Sequence, residues 1–341
     1  MGVSVQKPFF LWRHLNKLRW VSLSIVFTML VLLPFVHIYQ TYVAAYAYDL
    51  LSPSERQLYD VMEALTGPFT DDPAQDLDAI KGNTWSGTFW GWKLSDPLAA
   101  AGQAAAGVKT RSALYWPFLI TTAIPIALTV VFGRFFCGWI CPATILYELN
   151  TNFAAWLRWA GLKPGNRHFD KRIKYAVLAL GLVLSGVTGS MMVAAMYPPA
   201  IIGREIYYGV ALGGFGAGTV FFLATLLFDL LVARRGFCRY LCPGGALYSL
   251  LGRYRVVRIC RIVENCNDCA KCNAICEFDL DPMCDDFGQE CNNCTACMAV
   301  CPTDALTFTL RPWDGPTRGP GHLGRQHRGK SEIDEKTKET A

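Results

Sequence analysis

Charged side chains are scarce in this chain: Asp, Glu, Lys and Arg make up 17% of 341 residues, against 52% hydrophobic. That balance argues against a soluble globule and for a membrane protein. Histidine is rarer still, with five residues, and no C-x-x-C-H run occurs. His37 alone falls inside a long apolar stretch, which is too few for bis-histidine haem ligation. No glycine-rich dinucleotide fingerprint follows a strand, so direct use of nicotinamide cofactors is disfavoured. Gly213-Gly214-Phe215-Gly216 reads instead as close packing within an apolar helix. Acids are missing from the stretch Arg253 to Arg261. Such a segment suits anionic lipid headgroups rather than nucleic acid.

Cysteine, by contrast, is abundant, with fourteen residues. Cys266, Cys269, Cys272 and Cys276 spell C-x2-C-x2-C-x3-C, and Cys291, Cys294, Cys297 and Cys301 spell it again before Pro302. Two such runs are the ligand set for two [4Fe–4S] clusters. Three closely spaced cysteines reach three corners of one cubane, and the fourth crosses to the other. Cys266, Cys269, Cys272 and Cys301 are thereby assigned to one cluster, and Cys291, Cys294, Cys297 and Cys276 to the second. Zinc knuckles rarely need four cysteines at this spacing, and disulfides suit small secreted domains. Cys260 falls in an expected strand over 256–263 and is read as packed, not ligating. The surrounding acids (Asp268, Glu277, Asp279, Asp281, Asp285, Asp286 and Glu290) face one lysine, Lys271. Such a surface is expected to suit a basic electron-transfer partner.

Four apolar runs approach the roughly 20 residues that a spanning helix needs: 21–39, 114–133, 176–196 and 210–232. Lys and Arg set their orientation. The basic N-terminus 1–20, the segment 134–175 and the segment 233–254 are rich in both, whereas 40–113 carries many acids. With four spans, the basic segments share the cytoplasmic side, and so do both termini. The short loop 197–209 and the longer segment 40–113 are then extracytoplasmic. Ser52-Pro53-Ser54-Glu55 predicts a capped helix within 40–113. Trp85, Phe89, Trp90 and Trp92 look like an interfacial lid. The ferredoxin-like part occupies 255–311, and 312–341 reads as a disordered tail.

An internal repeat joins the two halves of the membrane part. Arg134-Phe-Phe-Cys137-Gly-Trp-Ile-Cys141-Pro142 returns 101 residues later as Arg235-Gly-Phe-Cys238-Arg-Tyr-Leu-Cys242-Pro243, followed by Tyr147 and Tyr248 in turn. Each copy follows an even-numbered span, so a two-helix unit ending in C-x3-C-P is duplicated in parallel. On a helix, residues four apart share a face. Cys137, Cys141, Cys238 and Cys242 are therefore candidates for one redox or metal site at the membrane boundary. A third iron–sulfur centre, a dithiol pair and a copper site all remain open. Arg134, Arg235 and Arg239 would favour thiolates there. Asp229, an acid inside an apolar span, is expected to pair with Arg234 or Arg235, or else to carry a proton during quinol oxidation. Glu205 is the weaker equivalent at the other side.

Four spans, twin C-x3-C-P motifs and paired ferredoxin runs resemble the NapH/MauN-type membrane ferredoxins, quinol dehydrogenase membrane components related to the polyferredoxin part of NosR. The resemblance covers about residues 110–310 and includes Lys93-Leu-Ser-Asp96-Pro97-Leu98. Glu277 stands where a proline often follows the first run, and 40–113 exceeds the family's short loop. The expected architecture is membrane α-helical, with four transmembrane helices in two parallel repeats. A C-terminal α/β bacterial-type 2[4Fe–4S] ferredoxin-like domain completes it. The resemblance implies a subunit of the bacterial cytoplasmic (inner) membrane that passes electrons between the quinone pool and a partner redox protein. The alternative is an assembly factor that reduces a metal such as copper at the C-x3-C-P sites.

Overall fold

The computed structural model describes residues 9–69, 76, 80–82, 86–89, 92–107, 112–161, 165–284 and 287–310. The expected tail, and Trp85 and Trp90 of the expected lid, lie outside the described residues. Helix α1 runs Phe9–Ala44 with Pro34 inside it, so it extends the expected span 21–39 at both ends. Helix α2, Pro53–Thr66, starts at the Ser52 capping box, whose Glu55 carboxylate accepts the Ser52 N–H at 2.8 Å. Tyr42 donates to Glu55 at 3.1 Å and folds α2 back on the end of α1. Beyond α2 comes an antiparallel three-stranded meander of β1 (Ile80–Gly82), β2 (Ser86–Phe89) and β3 (Trp92–Ser95), where the sequence had suggested only helix and lid. Asp96 then caps α3 (Pro97–Ala105) by accepting the Leu98 N–H at 2.7 Å.

Helix α4, Ser112–Phe132, matches the second expected span closely. The third and fourth do not survive as single helices. Helix α7 covers Ile173–Thr188 and stops at Gly189, whose φ of +63° is a left-handed cap. The region 197–209, expected to be a loop, is instead α8 (Pro198–Leu212), started by the Pro198-Pro199 pair. Gly213 ends it at φ +65°, and α9 resumes at Ala217–Leu231. The Gly213–Gly216 stretch is therefore a helix break, because a left-handed residue cannot continue an α-helix. Glu205 closes that break: it accepts the Gly216 N–H at 2.6 Å and the Thr219 hydroxyl at 2.9 Å.

Among the described residues, one helix, over His14–Ala44, is long and apolar enough alone to cross a membrane. Ile120–Phe132, Ile173–Thr188 and Ala217–Leu231 are shorter apolar helices. All four carry an outward apolar stripe at helical spacing. Examples are Val21-Ile25-Met29-Leu32, Ile120-Ile124-Leu128-Val131, Leu180-Val183-Leu184-Val187 and Val220-Leu223-Leu227-Leu231, every one exposed.

The C-terminal part is closed by β4 (Val257–Arg261) and β5 (Leu306–Leu310), antiparallel with Ile259 opposite Phe308. Strand β4 falls within the strand expected over 256–263. Cys260 faces Thr309 across the ladder at 3.0 Å, a packed position. Ile259, Phe287, Met298 and Leu306 form the small core between the strands and the cysteine runs.

Candidate electron-transfer site

The two C-x3-C-P motifs build one chamber. Cys137, Cys141, Cys238 and Cys242 line the same cavity, together with Arg134, Arg235, Tyr197 and Phe278. The pairs are not carried on single helices. Helix α5 (Phe135–Trp139) ends before Cys141, and the matching turn Phe237–Leu241 ends before Cys242. In both, the second cysteine N–H donates five residues back at 2.9 Å, Cys141 to Phe136 and Cys242 to Phe237. This π-type widening replaces the expected i, i+4 helical face. Pro142 and Pro243 then start α6 (Ala143–Trp159) and α10 (Pro243–Leu251). The repeats interlock by exchange: Phe136 stacks on Tyr248 at 5.0 Å, and Tyr147 on Phe237 at 6.4 Å. Burial pushes the Cys242 thiol up to about 11, and the Arg134 guanidinium pulls it the other way.

Arg134 and Arg235, the repeat-equivalent arginines, are almost wholly buried, at 1% and 2% exposure. A buried guanidinium needs a partner, and each finds an acid of the ferredoxin-like part. Arg134 meets Glu290 at 2.5 Å, and Arg235 meets Glu277 at 2.5 Å. Lys174 also pairs with Glu290. Burial would push the Glu290 carboxyl up, but the Arg134 and Lys174 charges hold it below the usual carboxylate range. Glu148 ties the helices together, accepting from Arg19 at 2.6 Å and Arg235 at 3.0 Å. Arg239 reaches Asp279 at 2.9 Å, and Trp139 donates to the Asn293 carbonyl at 3.0 Å. Gly138 is required at this seam, since a Cβ there would lie 2.8 Å from the Asn292 carbonyl oxygen.

These contacts change the meaning of the acidic surface. Glu277, Asp279 and Glu290 are used by this chain's own arginines and lysine, so they are not the surface for a basic partner. Asp285 and Asp286 lie outside the described residues. Sequence reasoning missed Glu290, Glu148 and Lys174 as seam residues. The available signal was the pair of repeat-equivalent arginines, which demand acids once buried.

The ferredoxin-like part carries its own repeat, at an offset of 25. Asp268, Ala270 and Asp279 have positive φ, and so do Asn293, Thr295 and Asp304. Left-handed residues on either side of Cys269 and Cys294 force the tight turns that point successive sulfurs inward. A cavity is lined by Cys266, Cys269, Cys272 and Cys301, and Cys276 lies electrostatically close to Cys291, Cys294 and Cys297. The Ala305 N–H donates to the Cys301 sulfur at 3.2 Å. Among the described residues no three His, Cys, Asp or Glu side chains converge as ligands of a single ion. A cubane requires no such convergence, because each thiolate binds a different iron. The cysteine spacing and the paired tight turns fit [4Fe–4S] clusters. Cys269 is exposed while Cys291 and Cys297 are buried. The second group lies against the chamber, through Phe278 and the Arg134–Glu290 pair.

Asp229 does not form the expected ion pair with Arg234 or Arg235. Its Oδ1 accepts the Phe237 N–H at 2.8 Å, next to Cys238. Arg234 instead donates to the Ala274 carbonyl at 3.1 Å.

Comparison with known proteins accords with this arrangement. A family model described as a 4Fe–4S binding domain matches residues 114–160 and again 215–260. Those matches are the two halves of the C-x3-C-P repeat. The methylamine utilization ferredoxin-type protein MauN of Methylorubrum extorquens is 34% identical over 230 residues, 65% of this chain and 74% of that protein. The ferredoxin-type protein NapH of Haemophilus influenzae is 35% identical over 189 residues, 54% of this chain and 60% of that protein. NapH of Escherichia coli is 31% identical over 188 residues, again 54% and 60%. No solved structure matches the chain significantly. Twin C-x3-C-P repeats, doubled ferredoxin runs and these relatives together show that the chain belongs to the MauN/NapH family of ferredoxin-type iron–sulfur proteins.

Proposed function

We propose that this protein is a membrane-embedded electron conduit that oxidises quinol and delivers electrons through two [4Fe–4S] clusters to a soluble redox partner. The observation that carries this reading is the seam by which the four-cysteine chamber meets the ferredoxin-like part, through Phe278 and the Arg134–Glu290 pair beside Cys291. The chamber of Cys137, Cys141, Cys238 and Cys242 lies nearest the apolar helices. Cys276, Cys291, Cys294 and Cys297 hold the proximal cluster beneath it. Cys266, Cys269, Cys272 and Cys301 hold the distal one, with Cys269 at the surface. The clusters, when bound, supply one-electron carriers. The protein's own residues fix their order through Arg134–Glu290 and Arg235–Glu277.

Outward apolar stripes on all four candidate spans support multi-pass insertion, since exposed apolar area on this scale needs lipid or protein to cover it. The C-x3-C-P sites, the ferredoxin-like part and the termini are then cytoplasmic. The chamber thiols hold a further centre. The 4Fe–4S family model covers both C-x3-C-P motifs, which favours an iron–sulfur group over a single copper ion, and with it electron transfer over metal reduction. The test is quinol-driven reduction of the clusters in Cys137→Ser and Cys238→Ser variants. Quinol reduction should fail while dithionite reduction of the eight-cysteine clusters persists. An unaltered quinol response in both variants would remove the chamber from the route, and lost copper binding with intact quinol reduction would restore the assembly-factor reading.

A further inference from the structure

A polar cleft lies between α6 and α9, lined among others by Asn150, Ala154, Arg158, Asn166, Asp229 and Arg234. Two of its buried polar atoms have no hydrogen-bond partner: Asp229 Oδ2, an acceptor, and Arg234 Nε, a donor. Asp229 is only 6% exposed. A buried polar group left without a partner is costly, more so when it is charged, and two complementary ones in one cleft point to a ligand that meets both. That ligand must donate to a carboxylate and accept from a guanidinium. A hydroxyl does both.

The cleft is also placed between redox groups. Asp229 Oδ1 holds the Phe237 N–H beside Cys238, and Arg234 holds the Ala274 and Ile275 carbonyls beside Cys276 at 3.1 and 3.5 Å. Outside it, Phe153, Trp156 and Trp159 of α6 and Leu227 and Leu231 of α9 are exposed. Exposed apolar side chains on these two helices offer a prenyl tail a surface to lie against.

We infer that this cleft is the quinol headgroup site, with Asp229 as the proton acceptor and Arg234 as the donor to the same hydroxyl oxygen. The inference rests on the quinol-oxidation reading above and gives it a location. In the step, both quinol O–H bonds break. One proton passes to Asp229 Oδ2 and the other to water. The two electrons leave singly, one to each of the two oxidised iron–sulfur clusters, and the quinone departs along the apolar surface. Asp229 then returns its proton to water through the cleft mouth.

The test uses the full cluster-loaded protein in nanodiscs, with short-tailed ubiquinol and menaquinol as reductants and hydroxyquinoline N-oxide as a non-reducing probe. Binding is read from quenching of tryptophan fluorescence, and electron transfer from cluster absorbance. The Ala154→Leu variant fills the cleft and should weaken probe binding at least tenfold. Asp229→Asn keeps an oxygen for the Phe237 N–H, so it should bind within threefold but reduce the clusters about 100-fold more slowly, in the range for a lost general base. Dithionite-reduced EPR spectra check that both variants hold their clusters. If either quinol reduces the wild type and both variants behave as wild type, the site lies elsewhere and the conduit reading stands. A wild type that neither quinol reduces and the probe does not bind would overturn both.

Discussion

Glu290 is the group on which docking of the cluster domain depends most. It is the shared partner of Arg134 and Lys174, whose side chains are 1% and 0% exposed. Glu290→Gln removes the one negative charge that both buried cations share. Breaking a buried pair from one side costs about 3–5 kcal/mol, or a roughly 10²- to 4 × 10³-fold rise in the undocked population. Arg134→Met should cost less, about 1.5–3 kcal/mol, because Glu290 keeps Lys174. Hydrogen exchange of the 287–295 amides in cluster-loaded, detergent-solubilised protein reads this directly, with cluster absorbance as the loading control. The pH dependence follows from the depressed Glu290 pKa. Its contribution is complete above the ordinary carboxylate range and is lost as pH falls through the lower folded value. Wild-type docking should therefore fail only in strong acid, and Glu290→Gln should lose that dependence. Wild-type exchange rates in Glu290→Gln, or a larger effect from Arg134→Met, would refute the reasoning.

Three further outcomes are expected. Gly138→Ala should loosen the same 287–295 amides, since its Cβ would meet the Asn292 carbonyl at 2.8 Å; the cost of such overpacking is about 1–3 kcal/mol, and unchanged exchange would contradict the close approach. Cys266→Ser and Cys291→Ser should remove different EPR signals, the first belonging to the exposed cluster; loss of the same signal in both would break the cysteine assignment. A membrane-impermeant thiol reagent added to intact cells should not label Cys137, Cys141, Cys238 or Cys242, and labelling from outside would invert the topology.

Local chemistry was the legible part of this molecule. The capping box at Ser52 and the spacing within each C-x3-C-P motif were written in short stretches of chain. Those features depend on residues near one another in the chain, where propensity and ligand geometry decide. The helix break at 213–216 was misread because glycine in an apolar run serves equally for close packing and for a left-handed stop. Only the partner decides, and here it is Glu205, eleven residues from Gly216. The seam residues were illegible for a related reason. Glu290 and Arg134 are 156 residues apart; the repeated arginine announces that an acid is needed once it is buried, but not which one. Asp229 stands out in sequence as an acid in an apolar run, but its partner is the Phe237 N–H rather than an arginine, because Arg235 is already committed to Glu148 and Glu277.

Anaerobic purification of the full chain, followed by iron and sulfide analysis and a potentiometric EPR titration, tests the central claim most directly. Two cubanes on the eight ferredoxin cysteines require roughly eight irons and eight sulfides per chain, with two reduced signals that broaden each other, and more iron if the chamber holds its own centre. Zinc in place of iron, iron without labile sulfide, or a single four-iron signal would contradict it.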